Sequence, residues 1–233
     1  MPKQAFDEYA DKYDSWFLKN EAVLDSEVAL LAHFLSNPGR TLSVGCGSGL
    51  FETLLKKEHN IIIEEGLEPA DSMAEIAIKR GMKVRIADAQ SMPYENDEFN
   101  TVYFNGSPSY IKNLNAAFAE AYRILKPGGT LLVLDVPKES SYAMLYNLGM
   151  VLKTWDHKLM EGIKPPNVYP LEFVLEANWR TTEEKVGLMK QVGFKNFEFA
   201  QTLTKHPAFS NNEIEEPVAG YDRGDYVCIK AEK

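Results

Sequence analysis

The stretch Arg40–Leu50, RTLSVGCGSGL, joins a short buried strand to a helix through a glycine-rich turn. Thr41–Val44 has the composition of a buried strand, and Gly45, Gly47 and Gly49 follow it at alternate positions. Glycine permits positive φ and lets a ligand approach the backbone where a Cβ would clash. The helix that follows presents unpaired N–H groups at its start. Because ligands of open α/β sheets bind at the carboxyl ends of the strands, this stretch predicts a ligand-binding loop.

The spacing of the glycines narrows the class of ligand. A dinucleotide fingerprint requires glycine or alanine where this chain has Leu50, and the Gly-Lys-Ser/Thr of a P-loop does not follow. An acid, Glu68, stands nineteen residues after Gly49. At about that distance an acid ends the second strand of such a fold and can accept both ribose hydroxyls. The pattern predicts a nucleoside site that needs no phosphate; the alternative is a glycine-rich surface turn.

Composition limits the class of protein. The chain has 233 residues, of which 45% are hydrophobic, enough for one large domain over 1–233. A net charge of −9 disfavours nucleic acid as the main partner, and no apolar run approaches the roughly 20 residues that span a bilayer. The acidic, aromatic start is unlike a signal peptide. Cys46 and Cys228 lie far apart with no Cys/His cluster, which predicts a cytoplasmic protein without disulfide or metal.

Alternating strand and helix patterns predict an α/β fold. Two helices over 1–36 precede the sheet, with aromatic residues at helical spacing, and Thr181 with Glu184 forms a capping-box signature before a late helix. Lys126–Gly129 is expected to be a tight turn. Seven strands are predicted, at Thr41–Val44, Ile61–Leu67, Lys83–Ala87, Phe99–Phe104, Thr130–Val136, Phe194–Thr204 and Asp225–Ala231, the last forming a hairpin with its predecessor.

Two segments interrupt the alternation. Residues 137–180 are rich in aromatic residues, methionine and proline, which predicts a cap inserted over the strand ends. The helices over 1–36 are expected to form a lid, with Tyr9 or Tyr13 turned into the site, or else to be plain core packing. A cap dense in apolar side chains fits a small, partly apolar acceptor pocket.

Taken together, the motifs resemble those of class I S-adenosylmethionine-dependent methyltransferases, in particular the type 11 group and its small prokaryotic members. The residues that carry the resemblance cover about 40–136: Val44–Gly49, Gly66–Pro69, Asp88-Ala89, Pro93-Tyr94 with Phe99, and Ala121–Gly129. The resemblance implies a Rossmann-like, mostly parallel sheet with helices on both faces and an antiparallel last strand. It also implies S-adenosylmethionine as cofactor, S-adenosylhomocysteine as product and a small-molecule methyl acceptor. Apart from the resemblance, a monomer or homodimer without a membrane partner is expected.

The resemblance also implies roles for individual residues. Gly45 and Gly47, with Cys46 between them, would lie against the methionine part of the cofactor, and Tyr13 would close over its carboxylate. The remaining implied positions follow the ends of strands two, three and four: Glu68 on the ribose hydroxyls, Pro69 and Met73 near the adenosine, Asp88 on the adenine amino group with Ala89 beside the ring, and Asn105 near the transferred methyl.

No catalytic triad is evident, so the catalytic residues stay unknown. Tyr110 is a candidate to touch the acceptor and could equally be a core aromatic residue. His157 and His206 are candidates for a general base, although a lone histidine is more often structural or exposed. Asp135, after the fifth strand, either faces the site or caps a turn. Two other functions compete with methyl transfer: a non-catalytic S-adenosylmethionine-binding module, and a nicotinamide-dependent oxidoreductase, which Leu50 disfavours.

Overall fold

The strands form a single sheet. A computed structural model describes residues 3–233, with side chains described from Ala5 onward, and within this range one sheet has eight strands in the order β3-β2-β1-β4-β5-β8-β6-β7. In chain order they are β1 Thr41–Val44, β2 Glu65–Leu67, β3 Lys83–Arg85, β4 Phe99–Asn105, β5 Leu125–Asp135, β6 Lys195–Thr202, β7 Val218–Ala219 and β8 Tyr226–Glu232. β1 to β5 pair in parallel, and β8 lies antiparallel between β5 and β6. The α/β fold and the antiparallel last strand are therefore as predicted.

The sheet has one strand more than the sequence predicted. The additional strand, β7, is only two residues long and pairs antiparallel with Ala200 and Gln201 at the edge of the sheet. Two apolar or small residues carry no alternation that a pattern could detect. The mostly parallel character of the sheet is unaffected.

Helices cover both faces of the sheet. They are α1 Lys3–Glu8, α2 Ala10–Lys19, α3 Glu21–His33, α4 Leu50–His59, α5 Asp71–Lys79, α6 Leu114–Ile124, α7 Ser141–Leu152, α8 Leu171–Val174 and α9 Thr182–Val192 within the described residues. Alternate residues of β5 point to opposite sides, so Leu132 and Leu134 pack in the cluster of α3 and α4, while Leu131 and Val133 pack in the cluster of α6 and α9. This two-sided burial explains why β5 is almost continuously apolar.

The region before β1 contains three helices where two were predicted. The predicted first helix is divided near Tyr9, which has a non-helical backbone between α1 and α2, and Asn20 separates α2 from α3. Residues 1 and 2 of the predicted lid lie outside the described residues. The division lets α1 contact α5, while α2 reaches the glycine-rich turn after β1 through a hydrogen bond between Ser48 and Asp14.

The 137–180 segment packs on these N-terminal helices. It contains α7, α8 and a 3-10 turn at Lys158–Met160. Phe6 stacks on Phe173 with ring centroids 4.7 Å apart, and the Trp16 indole N–H donates to Asn167 O at 3.0 Å. The two segments that interrupt the alternation therefore contact each other above the sheet.

Two predicted strand starts differ from the structure by four residues or more, while the other predicted strand limits agree within two residues. β2 begins at Glu65 and not at Ile61, because Ile61 and Ile63 pack into the helical core instead of pairing with a strand. Lys126–Gly129 belongs to β5 and not to a separate turn, with a register shift against β4 and Gly128 at φ +74°. The capping box of Thr181 and Glu184 is present as predicted.

Candidate functional site

The glycine loop makes a bend whose concave side is open to a ligand. Gly45 and Cys46 both donate their N–H groups to Leu67 O, at 2.7 and 3.2 Å, which ties the loop to the end of β2. Gly45 and Gly47 have φ of +71° and +55°. A Cβ added to Gly47 would lie 3.7 Å from Met73 Cε and 4.0 Å from Tyr13 Cε1, so it would occupy the space between these side chains. Glycine at this position therefore provides room for a ligand.

Glu68 connects the glycine loop to the next loop. It follows β2, is 5% exposed, and its two carboxylate oxygens accept from Gly47 N and Ala70 N, both at 2.9 Å. A carboxylate has about four acceptor positions, so each oxygen retains capacity for a hydroxyl donor. The predicted ribose-binding acid is thus in the wall of the site with acceptor capacity to spare.

Burial raises the pKa of Glu68 to about 7, in spite of the two backbone donors. If the ionised form accepts ribose hydroxyls, the dissociation constant of S-adenosylhomocysteine should rise about tenfold between pH 8 and pH 6, because the ionised fraction of the free protein falls from about 0.9 to about 0.1. Calorimetric titration at the two pH values measures this change. Glu68→Gln, which lacks the titrating group, should bind equally at both; a wild-type affinity that does not change with pH would contradict the assignment.

A cleft, here called the glycine-loop cleft, opens at the carboxyl ends of β1, β2 and β4. It contains about 360 Å³ of space free of atoms. Its wall consists of Phe6, Tyr13, Gly45, Gly47, Glu68, Met73, Asn105, Gly106, Ser107 and Tyr110. Six of the residues predicted to bind the cofactor therefore meet here, and Phe6, Gly106 and Ser107 are additions that the sequence did not indicate. Asn105 is held in place by Tyr226, whose hydroxyl donates to Asn105 Oδ1 at 3.0 Å.

The other four predicted residues lie beside this cleft and not in its wall. The Cys46 thiol packs against β2, since a Cβ on Gly66 would come within 2.6 Å of its sulfur, and burial raises its pKa. Pro69 directly follows Glu68. Asp88 Oδ1 accepts from the backbone N–H of Gln90 at 2.8 Å and from its side-chain Nε2 at 2.9 Å. Ala89 is buried in the core beside it. Their roles toward the cofactor stay predictions.

The N-terminal helices are fastened over the glycine loop through Asp14. Ser48 Oγ donates to Asp14 Oδ1 at 2.5 Å, and Arg80 Nη2 donates to Asp14 Oδ2 at 2.6 Å. Arg80 also donates to Ser48 O at 2.8 Å, which closes a three-residue network. Asp7 adds a contact at the start of α5, where its Oδ1 accepts from Ser72 N at 2.9 Å. These contacts hold Phe6 and Tyr13 in the wall of the glycine-loop cleft.

Asp14→Asn should accelerate dissociation of S-adenosylhomocysteine about five- to tenfold. The substitution weakens a partly buried, charge-assisted network, for which about 1–1.4 kcal/mol is reasonable. Stopped-flow tryptophan fluorescence can follow the release, because Trp16 lies on the same helix as Asp14. Asp11→Asn is the matched control, since Asp11 is exposed on that helix. Equal dissociation rates in the two variants would mean that the N-terminal helices do not control cofactor exchange.

A second cavity, here called the aromatic chamber, adjoins the glycine-loop cleft. It contains about 460 Å³ and shares Tyr13, Gly106 and Tyr110 with the cleft. Its other lining residues come from α2, α3, the ends of β5 and β8, and the 137–180 segment: Trp16, Phe17, Glu27, Asp135, Val136, Tyr146, Tyr169, Trp179 and Tyr226. Tyr146 is central among them, with its ring stacked on Trp179 at 5.2 Å.

An ion pair compensates the charge of Asp135 at the wall of the aromatic chamber. Its Oδ2 accepts from Ser109 Oγ at 2.7 Å and from Lys185 Nζ at 3.1 Å. The side chains of Asp135 and Lys185 are each only 2% exposed, so the two charges form a buried ion pair. Of the two alternatives for Asp135, the structure selects the one in which it faces the site.

The three candidate catalytic residues are placed differently from one another. Tyr110 lies at the junction of cleft and chamber, with its hydroxyl 3.4 Å from that of Tyr169. Burial, reinforced by Tyr169, raises the pKa of Tyr110 well above its usual range, so near neutral pH it carries its proton and is no base. His157 and His206 lie elsewhere, where each accepts a backbone N–H at the start of a 3-10 turn, from Leu159 and Ala208 respectively.

Sequence reasoning missed two charged residues of the site. Glu27 lies on the buried side of α3 among Val23, Leu24, Leu30 and Leu31. An acid in the middle of an apolar helix face was the available signal. Lys185 gave no such signal, because only the folded chain brings α9 against the end of β5.

Two further observations concern membrane-spanning helices and metal sites in the described residues. No helix within residues 3–233 is both long and apolar enough to cross a membrane. In the same residues, no group of three or more His, Cys, Asp and Glu side chains is arranged to hold a metal ion.

Comparison with known proteins identifies the family to which the chain belongs. A family model described as a methyltransferase domain matches residues 42–133. An uncharacterised protein of Methanocaldococcus jannaschii is 32% identical over 229 residues, covering 98% of each chain. A crystal structure from Thermotoga maritima, described as an S-adenosylmethionine-dependent methyltransferase and possible histamine N-methyltransferase, has a TM-score of 0.84 at 32% identity over 98% of each chain. A demethylmenaquinone methyltransferase of Leptospira interrogans is 25% identical, covering 86% of this chain and 89% of the relative.

The chain belongs to the S-adenosylmethionine-dependent methyltransferases, and S-adenosylmethionine is its cofactor. The glycine-loop cleft fits this group. Glu68 is the one charged residue among the described lining residues, which suits a cofactor with a cationic sulfonium and ribose hydroxyls. The space that a Cβ on Gly47 would fill lies in the same wall.

Proposed function

We propose that this methyltransferase acts on a small molecule bound in the aromatic chamber. The observation that carries the proposal is the junction between the two cavities, where Tyr13, Gly106 and Tyr110 line both. An acceptor in the chamber would face the cofactor across this junction. A mostly aromatic lining with a few polar groups is the usual character of a small-molecule site.

Within this proposal, each cofactor-binding residue has a defined task. Glu68 accepts the ribose hydroxyls, and the Gly45–Gly47 bend leaves room for the methionine part, over which Tyr13 closes. Asn105, fixed by Tyr226, lines the cleft close to the junction. Asp88 and Ala89 receive the adenine at the neighbouring strand end.

The cofactor supplies a methyl group that its sulfonium already activates. The residues of the chain therefore have to orient the acceptor and exclude water. Proximity and orientation can contribute about 7–11 kcal/mol to such a reaction. The closed N-terminal helices and the aromatic walls serve both purposes, and the rate does not depend on a dedicated base among the candidates.

The names of related proteins are compatible with a small acceptor. Besides the demethylmenaquinone methyltransferase, they include a 27-O-demethylrifamycin SV methyltransferase of Amycolatopsis mediterranei and the possible histamine N-methyltransferase of Thermotoga maritima. These acceptors differ in size and in the atom that is methylated, so they support the class of acceptor and not its identity. The net charge of −9 disfavours a nucleic-acid substrate.

Two measurements test the proposal. Calorimetric titration should show binding of S-adenosylhomocysteine and none of NADH. Incubation with methyl-labelled S-adenosylmethionine and a cell extract, separated into metabolite, protein and RNA fractions, should place the label in metabolites. Absence of S-adenosylhomocysteine binding would overturn the cofactor assignment, and label in protein or RNA would overturn the small-molecule acceptor.

A further inference from the structure

Glu27 is a carboxylate buried in the wall of the aromatic chamber. It lies in the middle of α3, on the side that carries Val23 and Leu30, and is 6% exposed. Its place in the lining shows that it borders the chamber and not a closed core. A buried carboxylate in an apolar helix face is costly unless a partner compensates it.

The residues that the structure describes provide no such partner. Within the described residues, Glu27 makes no hydrogen bond or ion pair. The one neighbouring charge that shifts its pKa is that of Asp135, which has the same sign. Burial and this repulsion both raise the pKa of Glu27. A second polar group of the chamber wall, the indole N–H of Trp179, is also buried without a partner among these residues.

The charges of the chamber do not cancel. Asp135 is paired with Lys185, whereas no cation among residues 5–233 pairs with Glu27. Among the described lining residues, Glu27 and Asp135 are the charged ones, and none is a cation. The raised pKa of Glu27 favours its protonated form while the chamber is empty. An ammonium group bound beside it would favour the ionised form and cancel its charge, whereas an anionic acceptor would meet no cation among the described lining residues.

The aromatic walls favour the same sign of charge. Tyr146, Tyr169 and Trp179 line the chamber, and the Tyr146 ring packs against each of the other two, with centroids 5.8 Å from Tyr169 and 5.2 Å from Trp179. Faces of such rings attract ammonium groups, and the attraction increases where water is excluded. A carboxylate among aromatic rings is a binding arrangement for an organic cation.

We propose that the methyl acceptor is a small cationic amine whose ammonium group pairs with Glu27 in the aromatic chamber. This inference rests on the proposed function, since it assigns the chemical class of the molecule that the chamber receives. Glu27 is a binding residue in this scheme: it compensates the charge of the amine, and the amine compensates the buried carboxylate. The aromatic rings would hold the rest of the molecule and present a second atom with a free lone pair at the junction, because an ammonium nitrogen has none. That lone pair would form the bond to the methyl carbon as the carbon–sulfur bond of the cofactor breaks, S-adenosylhomocysteine would leave, and any proton on the methylated atom would pass to water.

Two probe molecules that share a ring and an ethyl chain, and differ in having a charged or a neutral end group, test the proposal. 2-Phenylethylamine carries an ammonium group near neutral pH, and 2-phenylethanol carries a neutral hydroxyl on the same ring and chain. Each is titrated calorimetrically into the protein saturated with S-adenosylhomocysteine. The amine should bind the wild-type protein about tenfold or more tightly than the alcohol.

Glu27→Gln should weaken binding of the amine about tenfold or more and leave binding of the alcohol within about twofold. Glu21→Gln is the matched control, because Glu21 is exposed on the same helix. S-Adenosylhomocysteine affinity and the unfolding temperature, measured for every variant, show that the cofactor site and the fold persist. Since glutamine replaces an unpaired buried carboxyl group with an uncharged group of the same shape, Glu27→Gln should fold at least as stably as the wild type.

The outcomes separate this inference from the function on which it rests. If S-adenosylhomocysteine binds but the amine binds no better than the alcohol, or if Glu27→Gln binds the amine as well as Glu21→Gln, the cationic acceptor is wrong and the methyltransferase assignment is untouched. If S-adenosylhomocysteine itself fails to bind, the proposed function is overturned first.

Discussion

Glu68→Ala is expected to weaken binding of S-adenosylhomocysteine about 10- to 150-fold. In the proposed complex Glu68 is the buried acceptor for the ribose hydroxyls, and hydrogen bonds to a charged group contribute about 1.5–3 kcal/mol. The same carboxylate also accepts from Gly47 N and Ala70 N, so its removal releases the glycine loop from the loop after β2. Both effects act on the free energy of binding in the same direction.

The control for this variant is Glu64→Ala. Glu64 lies just before β2 and forms an exposed ion pair with Lys83, far less buried than Glu68. Its removal should leave the affinity within about twofold, as for most surface pairs. Calorimetry gives both dissociation constants, and unfolding temperatures report on the fold. An affinity of Glu68→Ala equal to that of Glu64→Ala would show that the acid after β2 does not hold the cofactor.

The parts of the fold that the sequence revealed are those governed by local pattern. The strand, glycine turn and helix over 41–59 are visible because buried strands, positive-φ glycines and an amphipathic helix each leave a short-range signal. The capping box at Thr181 is local in the same sense. The two-residue strand β7 has no such signal, because its existence depends on the edge of β6 being available.

The limits of β2 show what pattern alone leaves undetermined. Three consecutive isoleucines have the composition of a strand, yet pairing with β1 starts only at Glu65. Ile61 and Ile63 gain burial by packing against helices instead. Strand propensity records a preference for a half-buried surface, and a helix layer can provide that surface as well as a neighbouring strand does.

The residues of the candidate site also fall into two groups, those with a local sequence signal and those that only tertiary packing brings together. Residues that follow strand ends were predictable, since the carboxyl ends of parallel strands meet at one edge and bring Gly45, Glu68 and Asn105 together. The aromatic chamber was predictable as a region but not residue by residue. Glu27, Lys185 and Trp179 come from three separate segments, and their proximity arises only from tertiary packing. A lone histidine looks the same in a sequence whether its role is catalytic or structural. Sequence alone therefore did not reveal that His157 and His206 cap short helical turns.

Gly47→Ala should abolish measurable binding of S-adenosylhomocysteine, a loss of about 100-fold or more, at a small cost in stability. The added methyl group would lie between Met73 Cε and Tyr13 Cε1 at ordinary contact distances, so the folded chain accommodates it without a clash. It would nevertheless occupy the space that the cofactor requires. The backbone at φ +55° adds a cost of about 1–2 kcal/mol to folding, which is modest against typical stabilities of about 5–15 kcal/mol.

Gly128→Ala separates the effect of space from the effect of backbone conformation. Gly128 has φ +74°, and a Cβ there would have no atom within 4 Å. It lies in the early part of β5, whereas the glycine-loop cleft opens at the opposite, carboxyl ends of the strands. The two variants should therefore lose similar unfolding free energy in a denaturant titration, while calorimetry detects a loss of cofactor affinity for Gly47→Ala alone. Retained affinity in Gly47→Ala would mean that the cofactor does not approach the loop at this glycine, and the cleft would have to bind it in another orientation.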